Sequence, residues 1–377
     1  MSAMISASTR CWAEIELDAL SHNAGVARNL AGRDSRVLAV VKADAYGLGA
    51  VPVSKHLVAK GDVRDFGVAN LAEADALRAA LPPDVSIELL SPALPEEWPF
   101  VARQELTPWL SSIEEARGYA RAASEAGRSR PMTVVVEVDT GMGRTGVLPA
   151  GLSELLDVIA KLPQLKLAGV ATHLPSSDED FVFTTAQLAA FDRIRHDLPP
   201  PSADFRTQAR NSAGVLGYPS SDGELVRAGL MLYGVSPLSE RQDLLRPVLA
   251  WKTRVTLVRD MPAGHGISYG RTFITPRPMR VATLAAGYAD GYMRSLADTG
   301  AAVLVRGRRH PLLGRVTMDQ MMIDVSDMPE ISVGDEAVLI GRQDGEEITA
   351  AEVAERAGTI AWEIFTGLSP RVTRVYW

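Results

Sequence analysis

Val37-Leu38-Ala39-Val40-Val41-Lys42-Ala43-Asp44-Ala45-Tyr46-Gly47-Leu48-Gly49-Ala50 is the stretch on which the reading of the chain turns. An apolar run, β-branched at Val37, Val40 and Val41, delivers one lysine at its downstream end. Length and branching read as a buried strand, and the Gly-containing turn from Tyr46 to Gly49 closes it before a helix-like segment. Lys42 then stands at a strand's carboxyl end, where parallel α/β folds place their chemistry. Desolvation against apolar neighbours favours the uncharged amine, which suits a Schiff-base lysine. A lysine snorkelling out of a strand end is the plain alternative.

Outward from this stretch, a regular beat sets in. Strand-like runs occur at Val37–Val41, Phe66–Ala69, Ile87–Leu90, Leu106–Leu110, Thr133–Val138, Leu167–Thr172, Phe205–Ala209 and Leu225–Tyr233, and helix-like segments fill most gaps, clearest at Ser111–Ala126, Leu152–Leu162 and Thr184–Leu198. The rhythm and its span of about 240 residues match a (β/α)8 barrel, although a doubly wound sheet alternates in the same way. Upstream, Glu14–Leu17 reads as a short strand and Asp18–Leu30 as a helix capped by Asp18. Beyond Pro247 the texture changes to strand-like runs at Thr253–Val258, Met279–Leu284, Ala302–Val305, Met321–Val325 and Ala337–Ile340, with one helical segment at Thr349–Ala357. The expected fold is therefore α/β: a (β/α)8 barrel over residues 1–247 followed by a mostly-β domain over residues 248–377.

Composition narrows the function. The 377 residues carry a net charge of -7, with 46% hydrophobic and 23% charged residues, as in an ordinary globular protein. The basic residues are scattered, which argues against nucleic acid. No run approaches the roughly 20 apolar residues that span a bilayer, and the first ten residues lack a signal-peptide pattern, so a cytoplasmic location is expected. The single cysteine, Cys11, excludes an internal disulfide framework and a multi-cysteine metal site, and no metal is expected. A small-molecule partner is the remaining class.

Val40–Ala50 resembles the cofactor-lysine signature of the alanine racemases, enzymes that depend on pyridoxal 5'-phosphate (PLP). Further segments resemble that family in its own order. They are Asp139–Gly146, Thr172-His173, Arg210–Ala213, Val226–Leu230, Gly266–Arg271, Gly287–Tyr292 and Arg315–Gln320. The resemblance implies two catalytic bases, Lys42 and Tyr269, the latter supplied by the partner subunit of a head-to-tail homodimer with shared active sites. It implies cofactor contacts from Lys42, Tyr46, Arg144, His173, Asn211, Ser212, Arg227, Gly229, Leu230 and Trp362. It places Arg144, Met318 and Tyr288 on the substrate, and Glu137 and Asp319 behind them. Asp178, Arg294, Arg315 and Ile360 fall at the family's outer entry gate. The implied reaction interconverts L- and D-alanine, supplying D-alanine for peptidoglycan.

Four positions depart from the family pattern. Glu137 replaces a lysine that in many members carries a carbamate, and it is expected to pair with Arg144 without modification. Trp362 replaces a tyrosine that commonly bonds the phosphate; its indole N–H is a donor only, and its bulk favours alanine over larger amino acids. Gln208 stands where a histidine often supports the arginine at the ring nitrogen, and Leu48 replaces the histidine of the lysine signature. The alternatives are a broad-specificity amino-acid racemase, a PLP-dependent decarboxylase, for which Arg227 is the wrong partner of the ring nitrogen, and a non-catalytic PLP-binding protein.

Overall fold

The computed structural model describes residues 9–198 and 205–377. Its strands, in chain order, are β1 (Cys11–Ile15), β2 (Arg36–Val40), β3 (Asp65–Val68), β4 (Ser86–Leu89), β5 (Thr107–Leu110), β6 (Met132–Glu137), β7 (Leu165–Ala171), β8 (Arg206–Gln208) and β9 (Leu225–Ala228), then β10 (Leu249–Met261), β11 (Gly266–Ile267), β12 (Phe273–Ile274), β13 (Met279–Leu284), β14 (Ala302–Val305), β15 (Arg308–Pro311), β16 (Met321–Asp324), β17 (Glu336–Gln343), β18 (Glu346–Ile348) and β19 (Thr373–Tyr376).

Strands β2 to β9 form one parallel sheet in the order β8-β7-β6-β5-β4-β3-β2-β9. A bridge between Thr207 and Glu224 brings its two edges together, so the sheet rolls into a nearly closed eight-stranded barrel. Most residues of these strands are buried, which is why most of the strands read as largely apolar runs. Helices between them start on side-chain caps: Asn70, Ser112 and Asp180 each accept the backbone N–H three residues on.

A second, mostly-β unit is built around a sheet of order β15-β14-β17-β10-β1-β19, with β13 pairing β10 and β16 and β18 pairing β17. The amino-terminal strand β1 belongs here, antiparallel to β10 and parallel to β19. The compact units divide the chain accordingly. The stretch ending at Ala19, Tyr46–Gly49 and Pro247–Trp377 form one, and Leu20–Ala45 with Ala50–Arg246 form the other. Trp12 and Trp251 lie in the core of the β unit, and the Trp251 ring meets Tyr292 edge-on at 5.8 Å. Lys252 on β10 bridges Glu14 at 2.9 Å and Glu336 at 3.2 Å. The Cys11 thiol takes the Trp251 indole N–H at 3.2 Å, and burial pushes its pKa up to about 12.

Four sequence expectations about the elements need correction, the first being the single helical segment of the β-rich unit: a second helix, Ala361–Thr366, follows Ala350–Ala357. The first strand lies at Cys11–Ile15, earlier than Glu14–Leu17. The following helix begins at Leu17, so Asp18 sits in its first turn and does not cap it. The run Leu225–Tyr233 is not one strand: Gly229 adopts φ -108 and ψ -103, and Leu230–Tyr233 coil into a 3-10 turn.

Pairing of β6 with β7 slips by one residue between Val134 and Val135, where Gly169 stands opposite Val135. A Cβ on Gly169 would come within 2.1 Å of the Arg206 carbonyl oxygen on β8. Backbone cannot move aside as a side chain can, so Gly169→Ala should destabilise the protein by about 2 to 3 kcal/mol. Urea unfolding measures this, and an unchanged midpoint and slope would contradict it.

Candidate functional site

Lys42 follows β2 directly, and the backbone after it is unusual. Ala43, Asp44, Ala45 and Tyr46 all take left-handed conformations, with φ of 52, 54, 53 and 56. Each non-glycine residue in that region is disfavoured by about 1–2 kcal/mol, so the turn needs support from outside. Glu73 provides part of it: one carboxylate oxygen accepts the N–H of Ala43 and the other that of Ala69, both at 2.8 Å. Asp44 accepts the N–H of Ala50 at 2.7 Å. Within the second unit, the carbonyl of Gly47 takes the Arg374 guanidinium at 2.8 and 3.0 Å, and the Tyr376 hydroxyl donates to the Leu48 carbonyl at 3.0 Å.

The barrel brings several expected residues to one electrostatic neighbourhood. Burial lowers the Lys42 pKa, Arg144 lowers it further, and Glu73 opposes both. His173 is pushed down to about 3 by burial, then by Arg227, Arg144 and Lys42, so its imidazole is neutral. Arg227 is only 3% exposed. Its Nη1 donates to the Gln208 carbonyl at 2.7 Å, and its Nη2 donates to the carbonyls of Thr172 at 2.7 Å and Ala209 at 3.1 Å. Nη2 also lies 3.3 Å from His173 Nδ1, which must be the acceptor, since a guanidinium only donates. Burial lowers the Arg227 pKa to about 10, with the charges of Glu137, Glu224 and Glu88 opposing the shift and Arg144 adding to it.

Adjacent turns carry a set of donors. Ser212 Oγ accepts the N–H of Gly229 at 3.0 Å and of Met231 at 3.3 Å, which fixes the hydroxyl beside the turn at Gly229-Leu230. Asn211 caps the helix Ser212–Gly217 through its side-chain oxygen and donates to the Leu174 carbonyl. The buried Arg210–Glu224 ion pair, at 2.5 Å, anchors this turn, and Glu224 also accepts the N–H groups of Ala209 and Arg210. In the loop after β6, one oxygen of Asp139 gathers the N–H groups of Gly141, Met142 and Gly143, which shapes the turn leading to exposed Arg144.

Glu137 is buried, but among the described residues no ion pair or hydrogen bond joins it to Arg144. Its charge bears instead on Arg227. The expected pairing with Arg144 is therefore not present.

The second unit holds the remaining expected residues. Tyr269 stands in a turn flanked by Ser268 (φ 61), Gly270 (φ 72) and Arg271 (φ 48), and it is 69% exposed. The Ser268 hydroxyl pins that turn to the Arg315 carbonyl at 2.6 Å. Tyr288 and Met318 lie on two loops that bond each other, Tyr288 N–H to the Thr317 carbonyl and Ala289 N–H to the Met318 carbonyl. A Cβ on Gly287 would collide with both carbonyls, at 2.3 and 2.4 Å, so only glycine permits this approach. Asp319 pairs with Arg371 at 2.8 Å, and Arg371 also reaches Asp290 at 3.3 Å. The Trp362 side chain bonds the buried Tyr46 hydroxyl, whose pKa burial raises to about 12.

Sequence reading missed Glu73, Glu88 and Trp109. Only Glu88 left a signal, as a charge inside the apolar run Ile87–Leu90. Among the described residues no cluster of His, Cys, Asp and Glu is placed to hold a metal ion, and no helix is long and apolar enough to cross a membrane.

Residues 15–237 match the family description of the alanine racemase N-terminal domain, and residues 248–376 that of its C-terminal domain. The alanine racemase of Halothermothrix orenii is 41% identical over 372 residues, covering 97% of this chain and 96% of its own. That of Symbiobacterium thermophilum is 41% identical over 373 residues, with 97% and 96% covered. Among solved structures, the alanine racemase from Streptomyces coelicolor superposes with a TM-score of 0.88 at 35% identity, covering 98% of each chain. The one from Bartonella henselae, described with covalently bound pyridoxal phosphate, gives 0.87 at 30% identity and covers 98% of this chain and all (100%) of its own. A nearly closed parallel barrel with a separate β-rich unit defines the class, and the chain belongs to the alanine racemase family. It is an amino-acid racemase of a PLP-dependent family, and its relatives support alanine racemisation as its reaction.

Burial, and then the cations around it, fix the titration of His173. Its imidazole should stay neutral from about pH 8 down to about pH 5, where an unperturbed histidine would protonate. Imidazole NMR shifts follow this, and a His173 midpoint near the ordinary value of 6.5 would contradict it.

Proposed function

We propose that the protein interconverts L- and D-alanine with PLP as its cofactor, using Lys42 and Tyr269 as bases on opposite faces of the α-carbon. The observation that carries this reading is the setting of Lys42. Its amine is favoured in the uncharged form by burial and by Arg144, in a barrel that also holds a neutral histidine and a fixed guanidinium.

The donor set fits the cofactor. The Ser212 hydroxyl lies beside the turn at Gly229-Leu230, with Asn211 shaping the neighbouring turn, and that hydroxyl together with the main-chain N–H groups of Gly229 and Leu230 would hold the phosphate. Arg227 would face the ring nitrogen, His173 the ring, and Arg144 the ring oxygen and the substrate carboxylate. Tyr46 and Trp362 would close the phosphate side. Bound there, PLP delocalises the negative charge left on the α-carbon when its proton leaves. Arg227, already cationic, disfavours protonation of the ring nitrogen and so restrains side reactions such as transamination.

Tyr269 takes the α-proton of L-alanine and Lys42 returns one to the other face, giving D-alanine; the reverse direction exchanges the roles. Exposure of Tyr269 supports its being offered to a second copy, in a homodimer with shared sites. Arg144 and the Met318 amide hold the substrate carboxylate, and Tyr288 stands at the entrance. Glu137 and Asp319 act behind them, through Arg227 and Arg371. The bulk of Trp362 favours alanine over larger substrates. D-Alanine made in the cytoplasm would feed peptidoglycan synthesis.

Each base can be tested alone. In deuterated water, a Tyr269→Phe variant should incorporate deuterium into D-alanine with retention while racemisation falls by about 100-fold to 10,000-fold. Lys42→Ala should abolish both. A Tyr269→Phe variant that racemises at the unaltered rate would overturn the two-base reading.

A further inference from the structure

The barrel interior holds a carboxylate that the reaction above does not use. Glu88, in the middle of β4, is 4% exposed. Trp109 on β5 donates its indole N–H to Oε2 at 2.8 Å, and the Gln208 side-chain amide on β8 reaches Oε2 at 3.0 Å and Oε1 at 3.2 Å. Both donors also bear on Arg227. The guanidinium lies over the Trp109 ring at 5.3 Å, and the main-chain carbonyl of Gln208 accepts its Nη1 at 2.7 Å. Burying a carboxylate is costly, and an apolar side chain would fill the same space between β3 and β5 without that cost.

We propose that Glu88 is a positioning residue for Arg227, holding the guanidinium in one orientation through Trp109 and Gln208 and supplying it with a buried counter-charge. The proposal rests on the reading of Arg227 as the group that faces the cofactor's ring nitrogen. Glu88 meets Asp65 from β3, Trp109 from β5, Gln208 from β8 and Arg227 from β9; Arg227 in turn meets Glu137, Glu224, Arg144 and His173. Burial raises the Glu88 pKa to about 7, with the Trp109 and Gln208 bonds pulling it down, Asp65 raising it and Arg227 lowering it. The buried Gln208 Oε1 has no hydrogen-bond partner. A protonated Glu88 needs an acceptor for its O–H, and rotation of the Gln208 amide supplies that oxygen. Each protonation state of Glu88 therefore calls for its own orientation of the Gln208 side chain, on the residue whose main-chain carbonyl holds Arg227.

The test uses the PLP-loaded protein and the variants E88Q, E88L and W109F. Removing a bond to a charged group should weaken PLP binding by about tenfold in E88L. In the unaltered protein, the absorbance of bound PLP should show a transition near pH 7 that E88Q lacks. W109F keeps a ring beneath Arg227 but withdraws the N–H, so that transition should move to higher pH, because a bond that stabilises the carboxylate is gone. A folded E88L with unchanged PLP affinity and a superimposable absorbance profile overturns the proposal. If E88L does not fold, E88Q and W109F decide it: unchanged profiles in both overturn it, and the stated changes support it. Unaltered protein that neither binds PLP nor racemises alanine defeats the reading of Arg227 instead. The positioning role is then read from a crystal structure of E88Q, where an Arg227 guanidinium still on the Gln208 carbonyl and over Trp109 overturns it, and a displaced one supports it.

Discussion

A guanidinium sealed inside a barrel is the constraint from which the rest of the site follows. Arg227 sits on β9 with almost no exposure, and removing such an ion from water is tolerable only when its donors are met. Carbonyl oxygens at the ends of β7 and β8 meet them, from Thr172, Gln208 and Ala209. The charges of Glu137, Glu224 and Glu88 offset it. Burial keeps His173 neutral, and the same cation, with Arg144 and Lys42, adds to that effect.

Lys42 is set by a different device. The chain leaves β2 through four consecutive left-handed residues, none of them glycine, and the Glu73 carboxylate holds two of the backbone N–H groups around that turn. The division between the compact units falls inside it, after Ala45. Strain of this kind persists only where surrounding structure over-determines it, and it fixes the direction in which the chain departs from the lysine. Tyr46, at the end of the turn, is buried and bonded by Trp362, so the residues following the lysine are as constrained as those before it.

The barrel was legible because most of its buried strands are apolar over most of their length, and each of the eight runs overlaps a strand. Legibility failed where apolar character and conformation part company. Leu230–Tyr233 continues the hydrophobic run of β9 but coils, because Gly229 turns the chain. Pairing of β1 with β10 and β19 joins segments more than two hundred residues apart, which no local pattern records. Two-residue strands such as β11 and β12 are too short to carry an alternation. Candidate site residues with motif neighbours, among them Lys42, Arg227 and Ser212, were singled out by resemblance. Glu73, Glu88 and Trp109 were not, since their partners are defined only once the barrel pairs β4 with β5 and brings the Gln208 side chain of β8 to Glu88, or sets the Glu73 helix against the turn after Lys42.

The central claim is that an amine from one copy and a phenol from another flank the substrate carbon. A crystal structure of the PLP-loaded protein with an alanine analogue tests it most directly. The account predicts Lys42 Nζ and the Tyr269 hydroxyl of a second copy on opposite faces of the α-carbon, each within about 3.5 Å. A Tyr269 hydroxyl remote from that carbon in every assembly, with the cofactor bound, would contradict it.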